Sequence, residues 1–232
     1  MPALARASLA PVTPEPRAIT AILVGATGLV GSAILRLALA EPRIGSVVVL
    51  ARRATGAVSP KLREHVVDFE TPATWTGLLR GDVLFSALGT TVKAAGGRAA
   101  QYRVDHDLQL RIATAARRNG VPGFVLVSSA GASAASPIFY TRMKGVLERE
   151  VVKLGFERTR ILRPGLLQGE RAEPRSGERL ANRLLRPIAR FIPYVMRPVP
   201  AEVVARAAVQ SAFGRTAGVI HYEAAEIFRN GA

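Results

Sequence analysis

The chain has 232 residues, 49% of them hydrophobic and 21% charged, the composition of a globular protein with one domain and a core of ordinary size. Lys+Arg 32 against Asp+Glu 17 gives a net charge of +15, which points to an anionic partner without choosing among nucleic acid, an acidic membrane surface and a phosphorylated small molecule. The absence of cysteine excludes a disulfide framework, a thiolate metal site and a cysteine nucleophile, and His65, His106 and His221 are too scattered for metal-ligand spacing, so no metal site is expected.

Residues 1–18 carry prolines at 2, 11, 14 and 16 and read as a flexible arm without the apolar core of a secretory signal. An Arg-bearing, acid-poor start is also the composition of a transit peptide, but no address is legible and the expectation is a cytoplasmic protein. No apolar run approaches the length of a transmembrane helix. The cationic excess is nearly all arginine, since lysine occurs only at 61, 93, 144 and 153.

From Ile19 onward, β-branched apolar runs alternate with helical periodicity. Strands are predicted over 19–24, 46–50, 65–67, 83–86, 124–127 and 159–162, and helices over 30–41, 74–79, 98–119 and 138–154. The third helix has a well-marked end, with Arg117 and Arg118 in its last turn, then Asn119-Gly120 and Pro122. Residues 169–200 change character, becoming rich in Arg and Pro, and are predicted to form a small helical lid before a helix over 201–213 rejoins the body. The predicted fold is α/β, a doubly wound parallel sheet with helices on both faces, forming a single domain over 19–232 with a small C-terminal helical lid.

The first strand runs directly into Gly25-Ala26-Thr27-Gly28-Leu29-Val30-Gly31 and a helix. Glycines in that context permit a tight turn, let backbone N–H groups approach a pyrophosphate and allow close helix–strand packing, while the helix N-terminus favours negative charge. The spacing is GxxGxxG rather than GxGxxG, so placement after the strand ITAILV carries much of the weight. An NAD-preferring site needs a carboxylate at the end of the second strand, but here that strand ends in Arg52-Arg53. Guanidinium forks match a 2′-phosphate, so NADP(H) is expected in preference to NAD(H). Asp68 and Phe69 follow the third strand, where they would meet an adenine ring. Ala87, Leu88, Gly89 and Thr90 follow the fourth, where they would line ribose and phosphate.

Ser128-Ser129 closes the fifth strand, and Tyr140 and Lys144 open the next helix four residues apart, on one face. An ammonium one turn from a phenol favours the phenolate, which suits Tyr140 to exchange a proton with a substrate carbonyl while a nicotinamide transfers hydride. Ser129, or its neighbour Ser128, would hydrogen-bond the same oxygen.

Together GATGLVG, LARR, VVDFE, FSALGTT, YRVDHD, LVSSAGA, YTRMKGVLE and ILRPGLL resemble the short-chain dehydrogenase/reductases, and within them the atypical branch that includes the Tat-interacting oxidoreductase-like protein. The resemblance spans about residues 19–206. It implies a Rossmann-type NADPH-binding fold and a catalytic set of Ser129, Tyr140 and Lys144. It also implies that Arg163, Pro164, Gly165 and Leu166 pass the nicotinamide, and that Asp105 stands where many members support the active-site lysine through water. Dimers packed through the two long central helices are common in that family. Typical extended members carry a larger C-terminal substrate domain than the residues after Leu166 can form, which leaves the substrate unspecified.

Arginines at 175, 179, 183, 186 and 190 fall on one helical face until Pro187 interrupts it. That face suits an anionic substrate, acidic lipid headgroups at a peripheral membrane contact, or a partner protein. Aromatic residues are not interleaved with the arginines, and no DNA-recognition motif is visible, so sequence-specific nucleic-acid binding is not expected. The leading expectation is an NADPH-dependent oxidoreductase acting on a carbonyl or alcohol. The alternatives are a cofactor-sensing regulatory protein with little turnover and an accessory protein at an acidic membrane surface.

Overall fold

A computed structural model describes residues 17–168 and 198–231. The first strand, β1 (Ile19–Val24), pairs in parallel with β2 (Ile44–Ala51) on one side and β4 (Val83–Ser86) on the other. Outward from β2 lies β3 (Leu62–Val66), and outward from β4 lie β5 (Gly123–Val127), β6 (Arg158–Arg163) and β9 (Gly218–Glu223). All seven strands are parallel in the order β3-β2-β1-β4-β5-β6-β9, so the chain reverses its direction of winding between β1 and β4. A parallel sheet needs cover on both faces, and β1, β4 and β5 accordingly read as nearly continuous apolar runs.

One face is covered by α1 (Leu29–Ala40), α6 (Ala201–Ser211) and α7 (Ala224–Gly231), with Ile34, Leu35, Val204, Ala205 and Ile227 in the shared core. An exposed Arg36–Glu202 ion pair links α1 to α6. The other face is covered by α4 (Gln109–Arg118), α5 (Phe139–Lys153) and the segment around Trp75, with Phe69, Ile112, Phe124, Leu147 and Val151 buried among them. Burying each such side chain contributes about 1.5–3 kcal/mol, so the two apolar layers dominate the stability of the sheet. A second, minimal parallel pair joins β7 (Leu167–Gln168) to β8 (Val199–Pro200).

The helix predicted over 74–79 is instead two successive 3₁₀ turns, Pro72–Thr74 and Thr76–Leu78. So short a segment containing Gly77 cannot repay helix nucleation. The helix predicted over 98–119 begins as α3 (Arg98–Tyr102), widens into a π-helical stretch at Arg103–Leu108 and continues as α4. A short α2 (Val92–Ala95) precedes it, capped by the Thr91 hydroxyl and ended by Gly96 in the left-handed region at φ 84°. Sequence reading missed β9 and α7. The strand is anchored by Arg160, 1% exposed, whose guanidinium donates to the carbonyls of Thr159, Gly214, Thr216 and Gly218 at 2.5–3.2 Å. Residues 169–197, which include most of the expected lid and the arginine series at 175–190, lie outside the described residues, as do residues 1–16 of the expected arm. Among the described residues, no helix is long and apolar enough to cross a membrane.

Candidate dinucleotide and catalytic site

Every site segment expected from sequence follows the C-terminal end of a parallel strand, or opens the helix beyond it, which gathers them on one edge of the sheet. In open α/β sheets that edge, at the winding reversal, is where ligands bind. The reversal lies between β1 and β4, and there the backbone is packed too closely for side chains. A Cβ on Gly25, at φ 86°, would lie 2.5 Å from the Ala87 carbonyl carbon, and one on Gly31 would lie 2.0 Å from the Gly25 oxygen. Gly28 N donates to Gly25 O at 2.9 Å to close the turn. No acidic residue occupies the first turn of α1, and its N-cap, Gly28, offers no side-chain cap. The turn therefore presents backbone N–H groups and the positive end of α1 to the edge, a cradle that fits the pyrophosphate of a dinucleotide. Thr27 and Gly28 are exposed and Leu29 half-buried, whereas the Val30 side chain is in the core, so Val30 and Gly31 serve the turn through their backbone.

Arg52 and Arg53 are exposed immediately beyond β2. Past β3, the Asp68 carboxylate accepts from Glu70 N at 2.9 Å and from the Thr71 hydroxyl at 3.0 Å, fixing the turn. The Phe69 ring is buried, its centroid 5.9 Å from that of Trp75, so an adenine ring would meet the backbone of Phe69 rather than its side chain. Past β4, Ala87 N donates to Val24 O at 3.0 Å, which ties the Ala87–Thr90 segment to the end of β1.

On α5, Tyr140 is 37% exposed and Lys144 is 2% exposed. The π-helical stretch places Asp105, fully buried, within electrostatic reach of Lys144. Thr90 N donates to Asp105 Oδ1 at 2.8 Å, and the Gln101 amide donates to Thr90 O at 3.1 Å. Among the described residues, Asp105 Oδ2 and Gln101 Oε1 are buried without a hydrogen-bond partner. Burial pushes the Asp105 carboxyl above the usual carboxylate range, against the opposing influence of Lys144 and the Thr90 hydrogen bond. The loop after β4 and the helix bearing Tyr140 thus share one buried polar junction.

The two serines past β5 have different surroundings. Ser129 is half-buried, and among the described residues its hydroxyl donates to Ala130 O at 3.2 Å. Ser128 is buried and donates to Glu148 Oε1 at 2.5 Å, so its hydroxyl is already engaged. Glu148 also binds the Arg163 guanidinium, with the shortest contact at 2.6 Å, and Arg163 reaches Glu223 at 2.9 Å. These carboxylates raise the pKa of Arg163, with the Glu148 hydrogen bonds foremost. The side chain at 163 is therefore committed to α5 and β9, so of Arg163 only the backbone would be available to a nicotinamide at the 163–166 segment expected to border one. Glu148 lies within YTRMKGVLE, and the sequence alone assigned it no role. Its signal was an acid on the buried face of an amphipathic helix, one turn beyond Lys144.

Residues 25–183 match the NAD(P)H-binding family. The protein named fmp52, mitochondrial, of Aspergillus fumigatus is 42% identical over 199 residues, covering 82% of this chain and 85% of the relative. Its Candida albicans namesake is 34% identical over 204 residues, covering 84% and 88%. Among solved structures, an Agrobacterium tumefaciens short-chain dehydrogenase/reductase superfamily protein with bound NAD superposes with a TM-score of 0.67 at 17% identity, covering 88% of this chain and 76% of that one. Thermus thermophilus UDP-glucose 4-epimerase in complex with NAD gives 0.66 at 19% identity, covering 90% and 81%. At those identities the structural likeness carries the fold alone. The mitochondrial names of the relatives overturn the cytoplasmic expectation. That expectation rested on the lack of a legible address, and transit peptides are marked by compositional bias rather than a fixed motif. A Rossmann-like sheet, a glycine turn shaped for a pyrophosphate and these matches together establish that the chain belongs to the NAD(P)H-binding family and is a relative of the fungal Fmp52 proteins.

Proposed function

We propose that this protein is an NADPH-dependent oxidoreductase of the atypical short-chain dehydrogenase/reductase type, interconverting a carbonyl compound and its alcohol. The observation that carries the reading is the pairing of partly exposed Tyr140 with buried Lys144 one turn along α5, at the sheet edge that holds the glycine turn. A bound nicotinamide dinucleotide would supply the hydride. Tyr140 passes its phenolic proton to the carbonyl oxygen, and Ser129, whose hydroxyl is tied to no other side chain among the described residues, donates a hydrogen bond to the same oxygen. Lys144 places a positive charge beside this chemistry, with Asp105 as its buried countercharge. Arg52 and Arg53 are the groups available to receive a 2′-phosphate, and they support NADPH over NADH. The mitochondrial relatives and the Arg-bearing, acid-poor start of the chain support action in mitochondria, testable by fusing residues 1–18 to a reporter and following its import.

The test is NADPH oxidation across a panel of aldehydes and ketones. Tyr140→Phe should keep NADPH affinity within about twofold and lower turnover by about 10²-fold or more. Unchanged turnover in that variant removes Tyr140 from the mechanism. NADPH binding without oxidation by any carbonyl compound favours a cofactor-sensing role instead.

A further inference from the structure

Ser129 reaches the site from the loop after β5, while Tyr140 and Lys144 reach it from α5, so the catalytic set depends on how firmly these two elements are joined. At one point they meet backbone to backbone. A Cβ on Gly145 would lie 2.2 Å from the Ser133 carbonyl carbon, and Ser133 N donates to Thr141 O at 3.1 Å. The loop then borders a cavity of about 310 Å³ whose walls include Ala132, Arg149 and His221, so close packing does not continue along that side. Near the start of α5 the loop is also held by Ser136 Oγ against Thr141 Oγ1 at 2.6 Å and by Arg142 on the Ser136 and Pro137 carbonyls, and deeper along the helix a further junction is polar and buried. The buried Glu148 carboxylate accepts from the Ser128 hydroxyl at 2.5 Å, from Arg163 Nε at 3.1 and 3.2 Å, and from an Arg163 terminal nitrogen at 2.6 Å. Ser128 N also donates to Leu162 O at 2.7 Å, and Ala130 N to Pro164 O at 2.8 Å, so the loop is stitched to the end of β6 as well.

We propose that Glu148 is a positioning residue that locks the Ser129 loop to the helix bearing Tyr140 and Lys144, with Ser128 as its handle on the loop and Arg163 as its fixed countercharge. Glu148 lies four residues from Lys144 and eight from Tyr140 on one rigid helix, while Ser128 is adjacent to Ser129. A displacement at the Ser128–Glu148 bond therefore becomes a displacement of the serine hydroxyl relative to the phenol, and catalytic constellations tolerate only about 0.5 Å of such error. The ion pair supplies the rigidity. A buried carboxylate held by a guanidinium fork has few other arrangements, and Arg163 is itself braced by Glu223 at 2.9 Å.

The proposal rests on the oxidoreductase reading, and its test separates the two. In the full-length protein, Ser128→Ala removes the link to the loop while leaving the Glu148–Arg163 pair in place. Expected are a kcat about tenfold lower with KM and NADPH affinity within twofold, a melting temperature lower by only a few degrees, and faster amide hydrogen exchange confined to residues 129–134. Ser128→Thr, which returns a hydroxyl, should recover most of the turnover. Wild-type exchange and kcat in Ser128→Ala overturn the proposal. So does faster exchange spread over the whole sheet, because the bond is then only a contribution to stability. If the wild-type protein reduces no carbonyl compound, the oxidoreductase reading fails, and local exchange in Ser128→Ala alone decides whether Glu148 holds the loop.

Discussion

Gly31→Ala tests the close approach on which the dinucleotide cradle depends. The added Cβ would lie 2.0 Å from Gly25 O and 2.6 Å from Gly25 C, about 1.4 Å short of ordinary contact with the oxygen, and both obstacles are backbone. Neither can rotate away, so α1 must shift against β1 and disturb Val30, Ile34 and Leu35 in the core. Overpacking of this kind costs about 3 kcal/mol at the upper end of the common range, while replacing glycine by alanine inside a helix returns about 1 kcal/mol of propensity. The net loss is about 2 kcal/mol, or a melting temperature lower by about 4–8 °C for a chain of this size. A shift of the turn also misaligns N–H groups that would hold the pyrophosphate, each worth about 1.5–3 kcal/mol when bonded to a charged group, so NADPH affinity should fall by about 10–100-fold. Gly28→Ala is the matched control. Its Cβ would lie 3.3 Å from the same oxygen at an ordinary φ of −85°, and alanine is only a somewhat poorer N-cap, so a loss under about 1 kcal/mol is expected. Thermal unfolding and fluorescence titration with NADPH read both quantities. Equal losses of stability in the two variants would refute the argument from steric crowding.

Two further predictions concern charge. Arg52→Ala and Arg53→Ala should each weaken NADPH by about tenfold, the loss of one charge-assisted contact, and leave NADH within twofold; an equal loss for both nucleotides would deny the pair a 2′-phosphate role. Asp105, raised by burial, binds its proton more readily in the folded than in the unfolded chain. Its contribution therefore favours folding below about pH 4 and is lost as pH climbs through the raised folded-state value. Urea denaturation across that window should give wild-type protein a more negative slope of stability against pH than Asp105→Asn, whose amide does not titrate. Identical slopes would show that Asp105 is not perturbed by its burial.

Much of the fold was legible because its strands are buried on both faces. β1 and β4 were read to the residue, and β5 and β6 to within one residue at an end, since apolar runs bounded by glycine or charge leave few alternatives. β9 escaped because GVIHYE is an edge strand whose residues are exposed or half-exposed. Nothing local announces it, and three of the four carbonyls that Arg160 binds, those of Gly214, Thr216 and Gly218, lie far along the chain from that arginine. The π-helical stretch at Arg103–Leu108 was equally silent, because it lengthens one turn without changing the residue types that make a helix.

At the candidate site, the sequence by itself determined which residue types were available and where the chain could turn. GATGLVG after a strand, Arg52-Arg53 where an NAD-preferring site has a carboxylate, and Tyr140 four residues before Lys144 are statements about spacing, and backbone geometry converts spacing into position within one turn or one strand. The tertiary structure decided how those side chains are engaged. It turned Ser128 to Glu148 and Ser129 to the Ala130 carbonyl, buried Phe69 against Trp75, drew Arg163 away to two carboxylates and set Asp105 near Lys144. Each of these depends on residues distant in the chain that meet only when both faces of the sheet are covered. Burial then makes an unpaired polar group costly, and the partner of each paired one is chosen by the packing of the whole sheet rather than by neighbours in sequence.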